Sequence, residues 1–297
     1  MKVINPVVLT DAMLISHSIA ETDYAAWSGS TTYAIGDRCI QNHKIYESLQ
    51  ASNLNHSPAT DTGALPFWLE VSSTNRWRAF DQQVNSQTTA AGSFTFTVAP
   101  GSINAIAFVE LNGGTVRVQM FDGSTPIYDQ TQAIDSTSIL SWFDYFFGAY
   151  DLSAAIVFEN VPAYLNATVL VTISGAGTVG CGSALFGNIH YLGDTQLGAS
   201  AGITDYSTKS TNTYGVTKIT RRAFSKRSTQ RLILDNSTLR RVQALLSVLR
   251  ATPCLWIGAP DTQLFSPLVV YGYWRDFQLE IAYPRTSFCL LEIEGMI

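Results

Sequence analysis

Five aromatic rings in a short polar stretch are the residues best suited to a chemical task. Trp27, Tyr33, Tyr46, Phe67 and Trp68 stand among Ser, Thr, Asn and Gly between residues 24 and 75, with Gly36-Asp37, Pro58 and Pro66 between them. A flat ring carries a large apolar face, and Tyr and Trp add a polar handle. Rings spaced in this way either build a miniature core or display themselves to a flat, weakly charged ligand such as a sugar. Both uses describe a module that binds or connects.

The groups that usually carry reaction chemistry are scattered. His17, His43, His56 and His190 fall in no H-x-H or H-E-x-x-H arrangement. Cys39, Cys181, Cys254 and Cys289 lie far apart among apolar or small neighbours. They read as buried free thiols and lack metal-ligand spacing. There is no P-loop and no G-x-S-x-G elbow, and no pair of acids has a setting that marks a glycosidase. No catalytic residue, metal site or cofactor is assigned, and no enzymatic activity is expected. Gly175-Ala176-Gly177-Thr178-Val179-Gly180 matches the dinucleotide fingerprint in letters. That site requires a helix to begin there. Cys181-Gly182-Ser183 is too broken by glycine to start one, so the run reads as a turn.

Charge is sparse and segregated. Charged residues make up 14 % of the chain, against about 25 % in an average domain, which points to a surface covered by partners. The net charge is −5, which argues against general nucleic-acid binding. From Ala79 to Thr208 there are ten acidic residues and one basic, Arg117; from Lys209 to Arg250 there are ten basic residues and one acidic, Asp235. Opposite blocks either pair within the fold or meet between copies, where charge sets register. Lys218, Arg221, Arg222, Lys226, Arg227 and Arg231 are the candidate subunit-interface residues. Contact of this run with nucleic acid is expected only for a strand passing through a ring lumen.

The start, Met1-Lys2-Val3-Ile4-Asn5-Pro6, lacks a charged leader followed by an apolar run. No apolar run reaches membrane-spanning length. Folding in a reducing cytoplasm, without membrane insertion, is expected.

The elements that must hold these residues read as mostly β. Residues 1–23 form a lead-in with a short strand at Val7–Leu9, and residues 24–75 form a small aromatic-rich β module. Residues 76–190 read as a β-sandwich: Phe94–Val98 alternates cleanly, and Ile103–Val109, Val116–Phe121, Ala155–Phe158 and Ala167–Ile173 follow. Asn112-Gly113-Gly114 is a hairpin turn. From Gly175 to Gly202 the glycine content predicts a long loop, with a strand only at Phe186–Tyr191. Residues 191–297 form a second β domain with one helix near residues 237–250, packing with the sandwich or apart from it. Asn236 or Ser237 caps that helix, Leu239, Val242, Leu245, Leu246 and Leu249 form its apolar stripe, and Pro253 follows its end.

Two resemblances rest on these residues. Ala26-Trp27, Tyr33 with Gly36-Asp37, Tyr46, Pro58 and the closing Trp68 resemble the chitin- and cellulose-binding modules attached to bacterial chitinases. The resemblance implies that Trp27, Tyr46 and Trp68 serve largely as framework. In that family sugar-stacking rings often follow the Tyr46 position; here Glu47-Ser48-Leu49-Gln50 holds none, which leaves Tyr33 and Phe67 as an exposed platform. The last hundred residues resemble tail-tip proteins of tailed bacteriophages, through Gly202–Ser207, Tyr214-Gly215, Arg221-Arg222, the helix, Pro253–Ile257, Tyr283-Pro284 and Leu291–Glu294. That resemblance implies a structural virion protein: a ring-forming tail-tip or baseplate subunit, assembled in the host cytoplasm and joining the tail to host-binding parts. Its partners would be copies of itself, other tail proteins and a host surface glycan. A carbohydrate-binding adhesin acting through residues 24–75, and a polysaccharide hydrolase with an attached module, are the alternatives.

Overall fold

The protein is described by a computed structural model covering residues 1–61, 63–84, 86–134, 142, 155–259 and 266–296. It is mostly β, with large antiparallel sheets and one helix, Leu239–Val248, among the described residues. Its organising element is one strand of 24 residues, Thr168–Tyr191. This overturns the long loop expected from the glycines.

The glycines bend that strand and do not break it. Its first part, from Thr168 to Ser174, pairs with Ser93–Val98 on one side and Thr115–Phe121 on the other. Register slips between Ser174 and Thr178, where Gly177 takes a φ of +85°, open to glycine at little cost. A Cβ on Gly175 would stand 2.6 Å from the Gly114 nitrogen, so the strand crosses the Gly113-Gly114 turn only because both sides lack side chains. Beyond the bend the strand joins a second layer, pairing with Ala105–Asn112 and then with Lys2–Pro6. The glycine fingerprint is therefore a bulged strand with no helix after it, and the dinucleotide geometry is not formed.

The two layers close on one core. Phe94, Phe96 and Val98 alternate inward from one sheet, with Val116, Val118 and Met120 beside them; Ile106, Phe108 and Phe186 face them from the other. The rings meet edge to face, Phe108 with Phe158 at 6.1 Å and Phe96 with Phe186 at 6.3 Å, the arrangement their quadrupoles favour. Ala105, Ala107 and Val109 are buried on the opposite face of the same strand, against Ile4, Leu255 and Val269.

The second layer continues into the C-terminal part. Lys2–Pro6 bridges the long strand to Cys254–Ile257, and the sheet runs on through Val269–Glu280, Thr286–Gly295 and Phe224–Asp235. Residues 76–190 and 191–297 thus share one sheet. The expected strand at Val7–Leu9 lies instead at Lys2–Pro6, with a further strand at Leu14–His17. Val269–Glu280 is one continuous strand of 12 residues.

The helix covers one face of this sheet with its leucine stripe. Val242, Leu246 and Leu249 are buried against Trp256, Cys289 and Leu291. Its cap differs from expectation. Thr238 is the N-cap residue and makes no side-chain cap bond. Asn236 is committed elsewhere: its amide donates to the Tyr283 carbonyl, and its side-chain oxygen accepts from the Ser287 hydroxyl. The chain leaves the helix through Ala251, with φ of +56°, before Pro253.

Candidate functional site

The aromatic module is a three-stranded sheet, Arg38–Gln41, Lys44–Ser48 and Trp68–Ser73, beside a small ladder of Thr32–Tyr33 with Asn53–Leu54. Tyr33, Cys39, Tyr46 and Trp68 form its core, with Trp27 and Phe67 packed half-buried against them. So few residues make a core only because rings bring large area per residue.

This placement corrects the expectation of an exposed Tyr33. The side chain is only 7 % exposed. Its ring meets Trp68 edge-on at 4.9 Å, and its hydroxyl accepts the Ser28 backbone N–H at 2.9 Å. Tyr46 and Trp68 are buried too, and the Trp68 indole N–H donates to the His56 carbonyl. Phe67, like Trp27, is only half-buried, and His56 covers its ring. The exposed imidazole stacks flat on Phe67, centroids 3.5 Å apart and planes 10° from parallel. Asp61 fixes the pair from below by accepting the Phe67 and Trp68 backbone N–H groups at 2.6 and 2.9 Å. His56 was not a sequence candidate. The register of a loop residue against Phe67 is set by the Asp61 turn, which periodicity does not reveal. Exposed Leu49, Leu54 and Leu65 belong to the same module.

A polar hinge fastens the module to the sandwich. The Glu21 carboxylate meets His43 Nδ1 at 2.9 Å and accepts the Thr74 hydroxyl at 2.6 Å. The His43 ring lies 4.3 Å from that of Trp77, a residue of the sandwich core. Asn75 exchanges bonds with Thr89 in both directions and accepts the Thr88 hydroxyl through its carbonyl. The module is held through several partners.

The six cationic candidates do not form one face. Lys218 lies on a ribbon of two strands, Thr208–Thr211 and Thr217–Thr220, and Arg221 and Arg222 follow it. Lys226, Arg227 and Arg231 sit on Phe224–Asp235 in the main sheet, exposed between buried Ser225, Ser228 and Gln230. Arg231 is committed within the chain, 3.8 Å from Glu280 and 4.4 Å over the Phe288 ring. Arg227 lines a groove of about 340 Å³ with Arg275, Glu292 and Glu294. Burial pushes the Glu110 carboxyl up, and Lys226 opposes the shift. Lys209, also on the ribbon, forms no ion pair among the described residues and was not singled out from the sequence.

A larger cleft, about 680 Å³, opens beside Tyr191, Leu197, Ala201 and Leu268. Polar groups on its wall are already engaged: the Tyr191 hydroxyl donates to Asp194 at 2.5 Å and the Thr195 hydroxyl to the Gly258 carbonyl at 2.6 Å. The bond to Asp194, aided by burial, pushes the Tyr191 hydroxyl up to about 12. All four cysteines are buried free thiols. Among the described residues no three His, Cys, Asp or Glu side chains gather to hold a metal ion, and no helix is long and apolar enough to cross a membrane.

Set against protein-family models, curated proteins and solved structures, the chain matches none of them.

Proposed function

We propose that this protein is a structural virion component of a tailed phage, a ring-forming tail-tip or baseplate subunit that carries residues 24–75 as an outward module. The observation that supports the reading is the segregation of charge on a single β body. The cationic block occupies the ribbon, a strand near one end of the shared sheet and the helix segment, while the sandwich, residues 76–190, carries eight acids and three bases. Three of those acids, Asp135, Asp144 and Asp151, lie outside the described residues. Complementary patches on one chain favour contacts between copies and set their orientation. Function then resides in interfaces. Solution mass by light scattering, followed by electron microscopy of any oligomer, tests the reading. Closed rings are expected, and a monomer at all concentrations and salts removes it.

A second reading, a carbohydrate-binding adhesin, draws on the His56–Phe67 stack. A pyranose face laid on the exposed imidazole would use the pair as its platform. Replacing His56 with Ala in the full chain should then weaken glycan retention about tenfold, since one ring contact is worth roughly 0.5–1.5 kcal/mol. No retention by the unaltered chain on a glycan array or on chitin would eliminate it.

A further inference from the structure

The ribbon at residues 208–220 has no structural task within the chain. Thr208–Thr211 pairs with Thr217–Thr220, and among the described residues neither strand pairs with anything else. Every residue from Thr208 to Phe224 is exposed. An isolated two-stranded hairpin is marginal in water, and its two open edges invite another chain. Yet this ribbon is well specified locally. Its strands are rich in β-branched Thr. The Asn212 side chain accepts the Tyr214 and Val216 backbone N–H groups at 3.0 and 2.9 Å, and Gly215 takes a φ of +81°. Sequence thus maintains a ribbon that the monomer leaves uncovered.

Its side chains indicate what covers it. Tyr214, at the tip, is 90 % exposed, and Val216 and Ile219 are open to solvent beside it. Lys209, Lys218, Arg221 and Arg222 add four positive charges, none of which forms an ion pair among the described residues. The nearby carboxylate, Asp205, is engaged by Ser207, which holds it below the usual carboxylate range, with Lys209 and Arg221 contributing. The occupant is therefore acidic and offers some apolar surface. The sandwich of this same chain fits: eight acids against three bases over residues 76–190, with Asp122 exposed at a hairpin turn. A nucleic acid fits less well, because the acidic block and the net charge of −5 repel a polyanion.

We propose that the ribbon Thr208–Thr220 is an assembly arm that docks on the acidic sandwich of a second copy of this chain. The arm of one copy and the sandwich of the next are different surfaces, so the contact is head-to-tail. Such contacts close into rings or run on as filaments. This inference rests on the ring-subunit reading and names the contact behind it.

The test compares the full chain with a Lys209→Glu, Lys218→Glu double variant and with Tyr214→Ala, by native mass spectrometry and light scattering from 50 to 500 mM salt, taken as roughly the range over which screening becomes strong. Unaltered chain should assemble, and less so at high salt. Both variants should keep the far-UV circular dichroism of the parent while association weakens at least about tenfold. Mixing supplies a sharper expectation. A charge-reversed copy keeps an intact sandwich, so it should cap an unaltered copy as a dimer although it stays monomeric alone. Assembly of both variants at parental strength overturns the arm and leaves the ring reading standing. An unaltered chain that never associates overturns both. A parental mass profile with binding to a labelled DNA oligonucleotide lost only in the charge variant would make the ribbon a nucleic-acid arm and refute the proposal.

Discussion

Replacement of Tyr33 distinguishes a structural ring from a displayed one. An exposed stacking ring can be cut to Ala with little loss of stability. The observed Tyr33 is 7 % exposed, sits edge-on to Trp68 at 4.9 Å and takes a hydrogen bond from Ser28. Cutting a buried aromatic to Ala costs about 3–5 kcal/mol, and among the described residues the module's small core cluster is Tyr33, Cys39, Tyr46 and Trp68, with Trp27 and Phe67 packed against it. Loss of one wall should therefore open the whole module. Amide hydrogen exchange read by mass spectrometry on peptides spanning residues 38–48 is the direct assay. At 3 kcal/mol the opening population rises about a hundredfold, while peptides from the sandwich strand Thr88–Val98 should hold their protection. Tyr33→Phe keeps the ring and forfeits one hydrogen bond, about 1 kcal/mol, so exchange in the same peptides should rise only several-fold. Unchanged exchange in Tyr33→Ala would refute the reasoning and return Tyr33 to the list of display rings.

Other perturbations test the frame around the module. His17 lies against both Phe94 and Phe96, with centroids 6.0 and 5.7 Å away, and its Nδ1 accepts the Ile19 N–H; burial, aided by Arg76, lowers it to about 4. The folded protein thus keeps it neutral where the unfolded chain, near 6.5, takes up a proton. Stability should be full above pH 6.5 and fall by about 2 kcal/mol as pH drops towards 4, after allowance for partial exposure. Urea titrations should show that slope, and His17→Asn should flatten it. Gly175→Ala sets a Cβ 2.6 Å from the Gly114 nitrogen, so the bend must shift at a cost of about 1–3 kcal/mol, visible as a lower melting temperature; an unchanged one would contradict the close crossing. Reversing Arg221 and Arg222 to Glu should impair association without moving the melting temperature, since both are exposed and neither forms an ion pair among the described residues. Trp274→Phe removes a donor to the Leu246 carbonyl and should cost about 1 kcal/mol by urea unfolding, and no loss would mean that water replaces the bond.

The sequence by itself determined the class of fold, much of the strand content and the helix, because these depend on local periodicity. Phe94, Phe96 and Val98 alternate inward as the letters suggest, and the stripe at Val242, Leu246 and Leu249 is the buried face of the helix. Buried free cysteines were legible from their apolar neighbours. Tertiary structure decided what depends on distant partners. Glycines that locally signal a loop became a bent strand, because pairing with residues 88–91, Ala105–Asn112 and Lys2–Pro6 satisfied its backbone. Asn236 left its cap role because a turn at residues 283–287 offered it better use. A ring's type is written in the sequence, but its burial depends on which neighbour closes over it. Tyr33 therefore went inward beside Trp68, while His56, a residue of no evident promise, came to lie on Phe67 at the surface.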